Sequence, residues 1–243
     1  MTQPSTPTGP RGEAGRGRPY VPGAPQRGPY VSAPTQLPGP PPSVSASGRV
    51  TRWLIALAAL ASVYAALVEV VGWVAIDAYA RRVPGSAAVV QTYIEQQGIA
   101  ALLGILTVSL GGVSWMVWQY RAAARFAPGT LRRSPAWHAF CWLLPVAAWV
   151  LPFPNVRDLG RRSGAALGTG TLSAWWACWV GASLLCPIGL RLADLAADVW
   201  AAITAAQVSL AGHLLLVAAA VLAWGVVARI TRAVDGGPQG NAA

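Results

Sequence analysis

The sequence predicts an all-α membrane protein built from four transmembrane helices plus a proline-interrupted re-entrant or interfacial segment. Three observations lead there. Apolar residues make up 54% of the 243 positions and charged residues only 11%, more apolar surface than a soluble domain of this length can bury. Four predominantly apolar runs are each about 20 residues long, the length that crosses a hydrocarbon core of about 30 Å as a helix. All eighteen basic residues are arginines, and they flank those runs instead of forming a stripe on one soluble surface. Such placement is that of topology determinants facing anionic headgroups, so membrane lipids are the expected partners and nucleic acid is not.

Residues 1–48 hold twelve prolines and eight glycines with few branched aliphatics, a composition that cannot bury enough surface to offset the entropy of folding. This stretch is expected to be a disordered cytoplasmic tail. Within it GRPYVPGAP is echoed by RGPYVSAP, which sets Tyr20 and Tyr30 in matched surroundings, and PGPPP favours polyproline II. A plain solvated linker accounts for the composition, with a docking cytoplasmic protein as the alternative.

Residues 49–232 are expected to form the membrane domain and 233–243 a short flexible tail. The spans fall at 53–76, 99–118, 172–190 and 208–227. The first begins too far into the chain and runs too long for a cleavable signal peptide, so it is read as the insertion signal. Ala100, Gly104 and Gly111 on the second span, with Ala177 and Gly181 on the third, predict close approach of helix backbones. Between the last two spans, residues 191–207 read as a short amphipathic helix with Arg191, Asp194 and Asp198 on one face.

The segment 136–153 is the ambiguous one, because it is long enough to cross but carries Pro145 and Pro152. Arginine placement decides. If it crosses, Arg49, Arg52, Arg121, Arg125, Arg132, Arg133 and Arg191 lie on one side against Arg81, Arg82, Arg157, Arg161, Arg162, Arg229 and Arg232 on the other, an even split that violates the positive-inside bias. If it dips and returns, only Arg81, Arg82 and Arg191 lie outside. Four spans with both termini in the cytoplasm follow, and a backbone broken by proline must then be sheltered by the other helices. The tryptophans agree: only Trp73 and Trp200 fall toward the outer ends, which predicts an aromatic belt weighted inward.

Two groups of residues stand out as candidate sites. Glu69 lies inside the first span, where an ionised carboxyl needs a partner, and His213 lies at similar depth in the fourth; a Glu69–His213 hydrogen bond is expected, with Arg191 as rival partner. The plainer alternative is that Glu69 reaches the outer interface or stays protonated on a backbone carbonyl. The second group is Arg121, Arg125, Arg132, Arg133, Arg157, Arg161 and Arg162, which bracket the dipping element together with Trp137 and Trp142. Guanidinium groups converging beside tryptophan faces suit a phosphorylated headgroup or an acidic partner.

Signals for chemistry are weak. His138 and Cys141 share a helical face, but two ligands do not make a zinc site. Cys141, Cys178 and Cys186 are odd in number and lie in apolar segments, which indicates no disulfide framework. No nucleophile–base order or phosphate-binding loop is present, since GTGT at 168–171 lacks a lysine, so neither catalysis nor a metal or other cofactor is expected.

The blocks WQYRAAA, RRSPAW, WLLPVAAWVLPF and VRDLGRRS, in that order, resemble the bacterial membrane family known as domain of unknown function 4328. The resemblance covers about residues 50 to 232 and rests on Arg121, Trp137, Pro145, Arg157, Asp158, Leu159, Arg161 and Ser163. Arg125 and Ala148 stand where the family pattern has asparagines, Gly160 replaces a tryptophan, and Arg162 replaces a small residue. The resemblance implies the architecture and assigns no activity; a polar site built on those asparagines would be altered in this chain. The favoured function is a non-enzymatic multi-pass protein of the cytoplasmic membrane that binds anionic lipid or a protein partner at its inner face. A small transporter or channel component is the rival, with a lipid-modifying enzyme third.

Overall fold

The structure is a computed structural model that describes residues 43–144 and 146–237. The paired Tyr20 and Tyr30 motifs, the PGPPP run, Pro145 and the last six residues lie outside the described residues. Among the described residues seven helices follow in order: α1 Ser45–Ala80, α2 Ser86–Ala123, α3 Pro135–Phe140, α4 Ala147–Val150, α5 Pro152–Arg162, α6 Thr169–Asp194 and α7 Val199–Gly236. Among them, α1, α2, α6 and α7 are long and apolar enough to cross a membrane. The chain is thus an all-α, four-span bundle with a broken connection of three short helices between its second and third spans.

The helix ends obey local chemistry. The turn between α1 and α2 uses Arg82 and Gly85 at positive φ, with Pro84 between them unable to continue a helix. Pro135 opens α3, and Pro152 and Pro154 sit in the first turn of α5, where a missing N–H costs nothing. Asp198 caps α7 by accepting a hydrogen bond from the Ala201 N–H at 2.8 Å.

Several boundaries differ from the sequence reading. α1 starts at Ser45, inside the expected tail, because Asp235 near the end of α7 accepts from the Val44 N–H at 3.0 Å and from the Ser45 hydroxyl. The same contact keeps α7 helical to Gly236, beyond the expected boundary at 232. The expected amphipathic helix at 191–207 does not form as one unit: Arg191 and Asp194 close α6, the chain turns, and Asp198 becomes the cap of α7.

α1 packs along both α2 and α7, and α7 along α6, whereas α2 and α6 barely approach each other. The four spans therefore form a curved row, α2–α1–α7–α6, whose two outer members face each other across a gap. Because the helices alternate in direction, the start of α1, the end of α2, α3 to α5, the start of α6 and the end of α7 share one end. All described arginines except Arg81, Arg82 and Arg191 lie there, so it is termed the basic end. The outward faces carry exposed Leu60, Leu67, Leu102 and Val221, an apolar mantle suited to lipid.

Small residues close some seams and leave others open. A Cβ on Gly189 would lie 2.8 Å from the backbone N of Ser209, and one on Gly212 would lie 2.9 Å from that of Cys186, so α6 and α7 touch backbone to backbone. Gly111, as expected, faces α1, where a Cβ would come within 3.8 Å of the Leu54 carbonyl. Gly104 does not follow the expectation, because a Cβ there meets nothing within 4 Å; it borders the gap.

Candidate functional site

The gap between α2 and α6 is a groove in two joined halves. The half nearer the basic end is a cavity of about 410 Å³ lined by Gly111, Gly112 and Met116 of α2, Trp175 and Trp179 of α6, and Ala219, Ala220 and Ala223 of α7. The other half, about 360 Å³, is lined by Glu69, Gln97, Gly104, Ser183, Cys186, Ser209 and His213. Val108, Trp179 and Leu216 border both halves and make them one trough.

Tryptophan closes the trough at the basic end. Trp115 of α2 stacks on Trp175 of α6 with ring centroids 5.3 Å apart, bridging two helices whose backbones stay apart. Trp142, from the broken connection, inserts edge-on against Trp115, Trp176 and Trp179 at 6.2, 6.2 and 5.9 Å. Its indole N–H donates to Gln119 Oε1 at 2.8 Å, which fixes the plug. The inward weighting of tryptophan is therefore largely a packed cluster and only partly a belt: Trp115, Trp118 and Trp175 are buried, while Trp53 and Trp137 face outward. Trp142, half-buried in this cluster, is thus turned inward while Trp137 faces outward.

Around the plug lies a buried polar layer centred on Asn155, a residue that the sequence did not single out. Asn155 of α5 donates to the Trp137 carbonyl at 3.4 Å and to Cys141 Sγ at 3.3 Å, and accepts from Arg133 at 2.9 Å. Asp158 accepts from the Arg132 backbone N–H at 2.9 Å and lies 3.9 Å from Arg162. These bonds tie the loop before α3 to α5, so both halves of the arginine group do meet. His138 is fully buried, and neither ring nitrogen has a hydrogen-bond partner among the described residues. Burial pushes its pKa down to about 4; Asp158 favours the charged ring and Arg133 opposes it. Burial also raises the Cys141 thiol, which makes it a poor nucleophile. Among the described residues no third ligand joins His138 and Cys141 in a metal-binding group.

The arginines fall into two sets. Arg133 is turned inward to Asn155, Arg157 has a buried Nε without a partner among the described residues, and Arg125 is half-buried near Asp235. Arg121, Arg132, Arg161 and Arg162 are exposed. Beside them the broken connection exposes Trp137, Phe140, Val146, Trp149 and Val150.

At the other end of the trough, Glu69 is buried, but its partners are not the expected ones. Tyr93 donates its hydroxyl to Glu69 Oε2 at 3.0 Å, and Gln97 donates to Oε1 at 3.3 Å and to the Tyr93 oxygen at 3.0 Å. The expected Glu69–His213 hydrogen bond is not among those of the described residues, although both side chains line the same cavity. Arg191, the rival partner, pairs with Asp194 at 3.5 Å instead. The cause is helix length: α2 begins at Ser86, thirteen residues before the apolar run starts at Ile99, and this extra stretch carries Tyr93 and Gln97 alongside α1. Gly72 makes room, since a Cβ there would overlap the Tyr93 ring at 2.2 Å. Tyr93 and Gln97 at i, i+4, just before the apolar run, were the signal in the sequence.

A four-helix bundle with an apolar mantle, a broken connection and a trough between its outer helices defines a polytopic helical membrane protein. The family model described as "Domain of unknown function (DUF4328)" matches residues 81–232, more than half of the chain. The chain belongs to that family. No curated protein and no solved structure matches it.

Proposed function

We propose that this protein is a non-enzymatic membrane protein whose basic end binds anionic lipid headgroups. The observation that carries the reading is a local imbalance of charge: eleven described arginines gather at an end where the described carboxylates are Asp158 and Asp235 alone. Asp158 is engaged by the Arg132 backbone and Arg162, and Asp235 by Val44 and Ser45, so Arg121 and Arg161 face outward without a carboxylate among the described residues. Guanidinium forks in that position match phosphate oxygens, and the exposed aromatic collar of α3 and α4 would sit at headgroup depth beside them. By the positive-inside bias this end faces the cytoplasm of a cell membrane, with both termini on that side. Enzymatic activity is not part of the proposal, because the buried His138 is a weak base with no hydrogen-bond partner among the described residues and the Cys141 thiol is held protonated.

The test is native mass spectrometry of the full chain from vesicles of equal phosphatidylglycerol and phosphatidylcholine, beside the variant with Arg121, Arg161 and Arg162 all changed to Gln. The natural chain should retain the anionic lipid preferentially, and the variant should lose most of that preference. Equal retention of both lipids by the natural chain overturns the reading. Binding that instead survives only with an acidic protein partner would reassign the same surface.

A further inference from the structure

We propose that the trough between α2 and α6 binds a single-chain amphiphile with a primary ammonium head, its chain along the tryptophan-walled half and its head at Glu69. This site lies at the end of the bundle opposite the arginine surface and stands independently of it.

The chain half follows from shape and lining. On α2 the trough is bordered from Gln97 to Met116, about 28 Å of helix at 1.5 Å per residue, close to the thickness of a hydrocarbon core. Its walls are alanines, glycines and indole faces, and it ends on the Trp142 plug. Gly104 and Gly112 both border it, and a Cβ on either meets nothing within 4 Å. In a bundle whose other seams close on glycine, these two glycines leave width for an occupant.

The head follows from charge. Among the described residues Glu69 is the single carboxylate on the trough, and no cationic side chain lines either half. Its two oxygens accept from two neutral donors, Tyr93 and Gln97, the arrangement that suits the acceptor-only carboxylate. A buried carboxylate held by neutral donors alone is costly at membrane depth unless a cation completes it. Further groups border the same cavity: His213 has a buried Nδ1 without a partner among the described residues, which accepts when Nε2 carries the proton, and the Ser183 hydroxyl donates to the Trp179 carbonyl at 2.8 Å, leaving its lone pairs available. A primary ammonium brings three N–H donors to this set, whereas a quaternary ammonium or an alcohol cannot supply them. An inorganic cation would meet the charge of Glu69 but leave the apolar trough without a role.

The experiment uses the full chain in an uncharged detergent and a long-chain primary amine brominated at its far end, with bromine quenching tryptophan on contact. Quenching should saturate, and the brominated alcohol of the same chain should bind at least about tenfold more weakly, as befits loss of a charged hydrogen bond. Glu69→Gln, which keeps an acceptor for Tyr93, should weaken the amine by about tenfold and leave the alcohol unchanged. Gly112→Leu, placed where there is open space, should abolish saturable quenching by both probes. Equal affinity for amine and alcohol, or an unaltered amine affinity in Glu69→Gln, overturns the head assignment. Unaltered quenching in Gly112→Leu overturns the trough as the place of the chain, and displacement of the amine by sodium at comparable concentration reassigns Glu69 to an inorganic cation. If Glu69→Gln does not fold, the amine-against-alcohol comparison on the natural chain and the Gly112→Leu result still decide.

Discussion

The α6–α7 seam and the α2–α6 gap have much the same composition and opposite structures. Both are bordered by glycine, alanine and serine, yet at Gly189 and Gly212 the neighbouring backbone lies within van der Waals distance, while at Gly104 and Gly112 the nearest atoms are out of reach. What separates the outer helices is bulk at one end. The Trp115–Trp175 stack and the Trp142 wedge span the space between α2 and α6, and no small-residue patch can close above them. Small residues permit close packing in lipid; whether it occurs depends on which large side chains share the seam.

Breaking the strut should have the largest effect. Trp115→Ala removes the stack and its edge contact with Trp142, and should cost about 4 kcal/mol, read by unfolding in mixed micelles. If stability barely changes, the indoles do not hold the helices apart. Acid should strike the same end through His138. Its folded value of about 4 lies below the ordinary 6.5, so the unfolded chain takes up a proton that the folded chain refuses. Stability is then full above pH 6.5 and falls as pH drops toward 4, by about 3 kcal/mol in all. His138→Gln should flatten that slope in a pH series of unfolding midpoints.

The two glycine classes can be set against each other directly. Gly189→Ala forces α6 from α7 and should destabilise by about 2 kcal/mol. Gly112→Ala should raise stability by about 0.5 kcal/mol, because the new methyl meets open space and the helix gains from losing a glycine. Equal signs for the two substitutions would erase the distinction between seam and gap.

Much of this architecture was legible in the residues. The apolar runs gave four spans, and the split of arginines put both flanks of 136–153 at one end, because every crossing must reverse the side and charge records it. The candidate sites were half legible. Glu69 was visible as an intramembrane carboxyl, but its partners lay in a helical stretch read as connection, since Tyr93–Gln97 is not apolar enough to mark a span. Trp142 was visible as an aromatic near arginines, and its inward turn was not, because a residue beside Pro145 has no fixed helical face to read.

By itself the sequence determined which segments enter the membrane, how many cross and where the positive charge collects, because transfer into lipid depends on each segment's own composition and length. The tertiary structure alone decided that α2 and α6 stay apart, that Glu69 answers to Tyr93 and Gln97, and that Asn155 ties α5 to the loop before α3. Those outcomes turn on which side chains from distant segments compete for one volume, a property of their packing together and not of any segment alone.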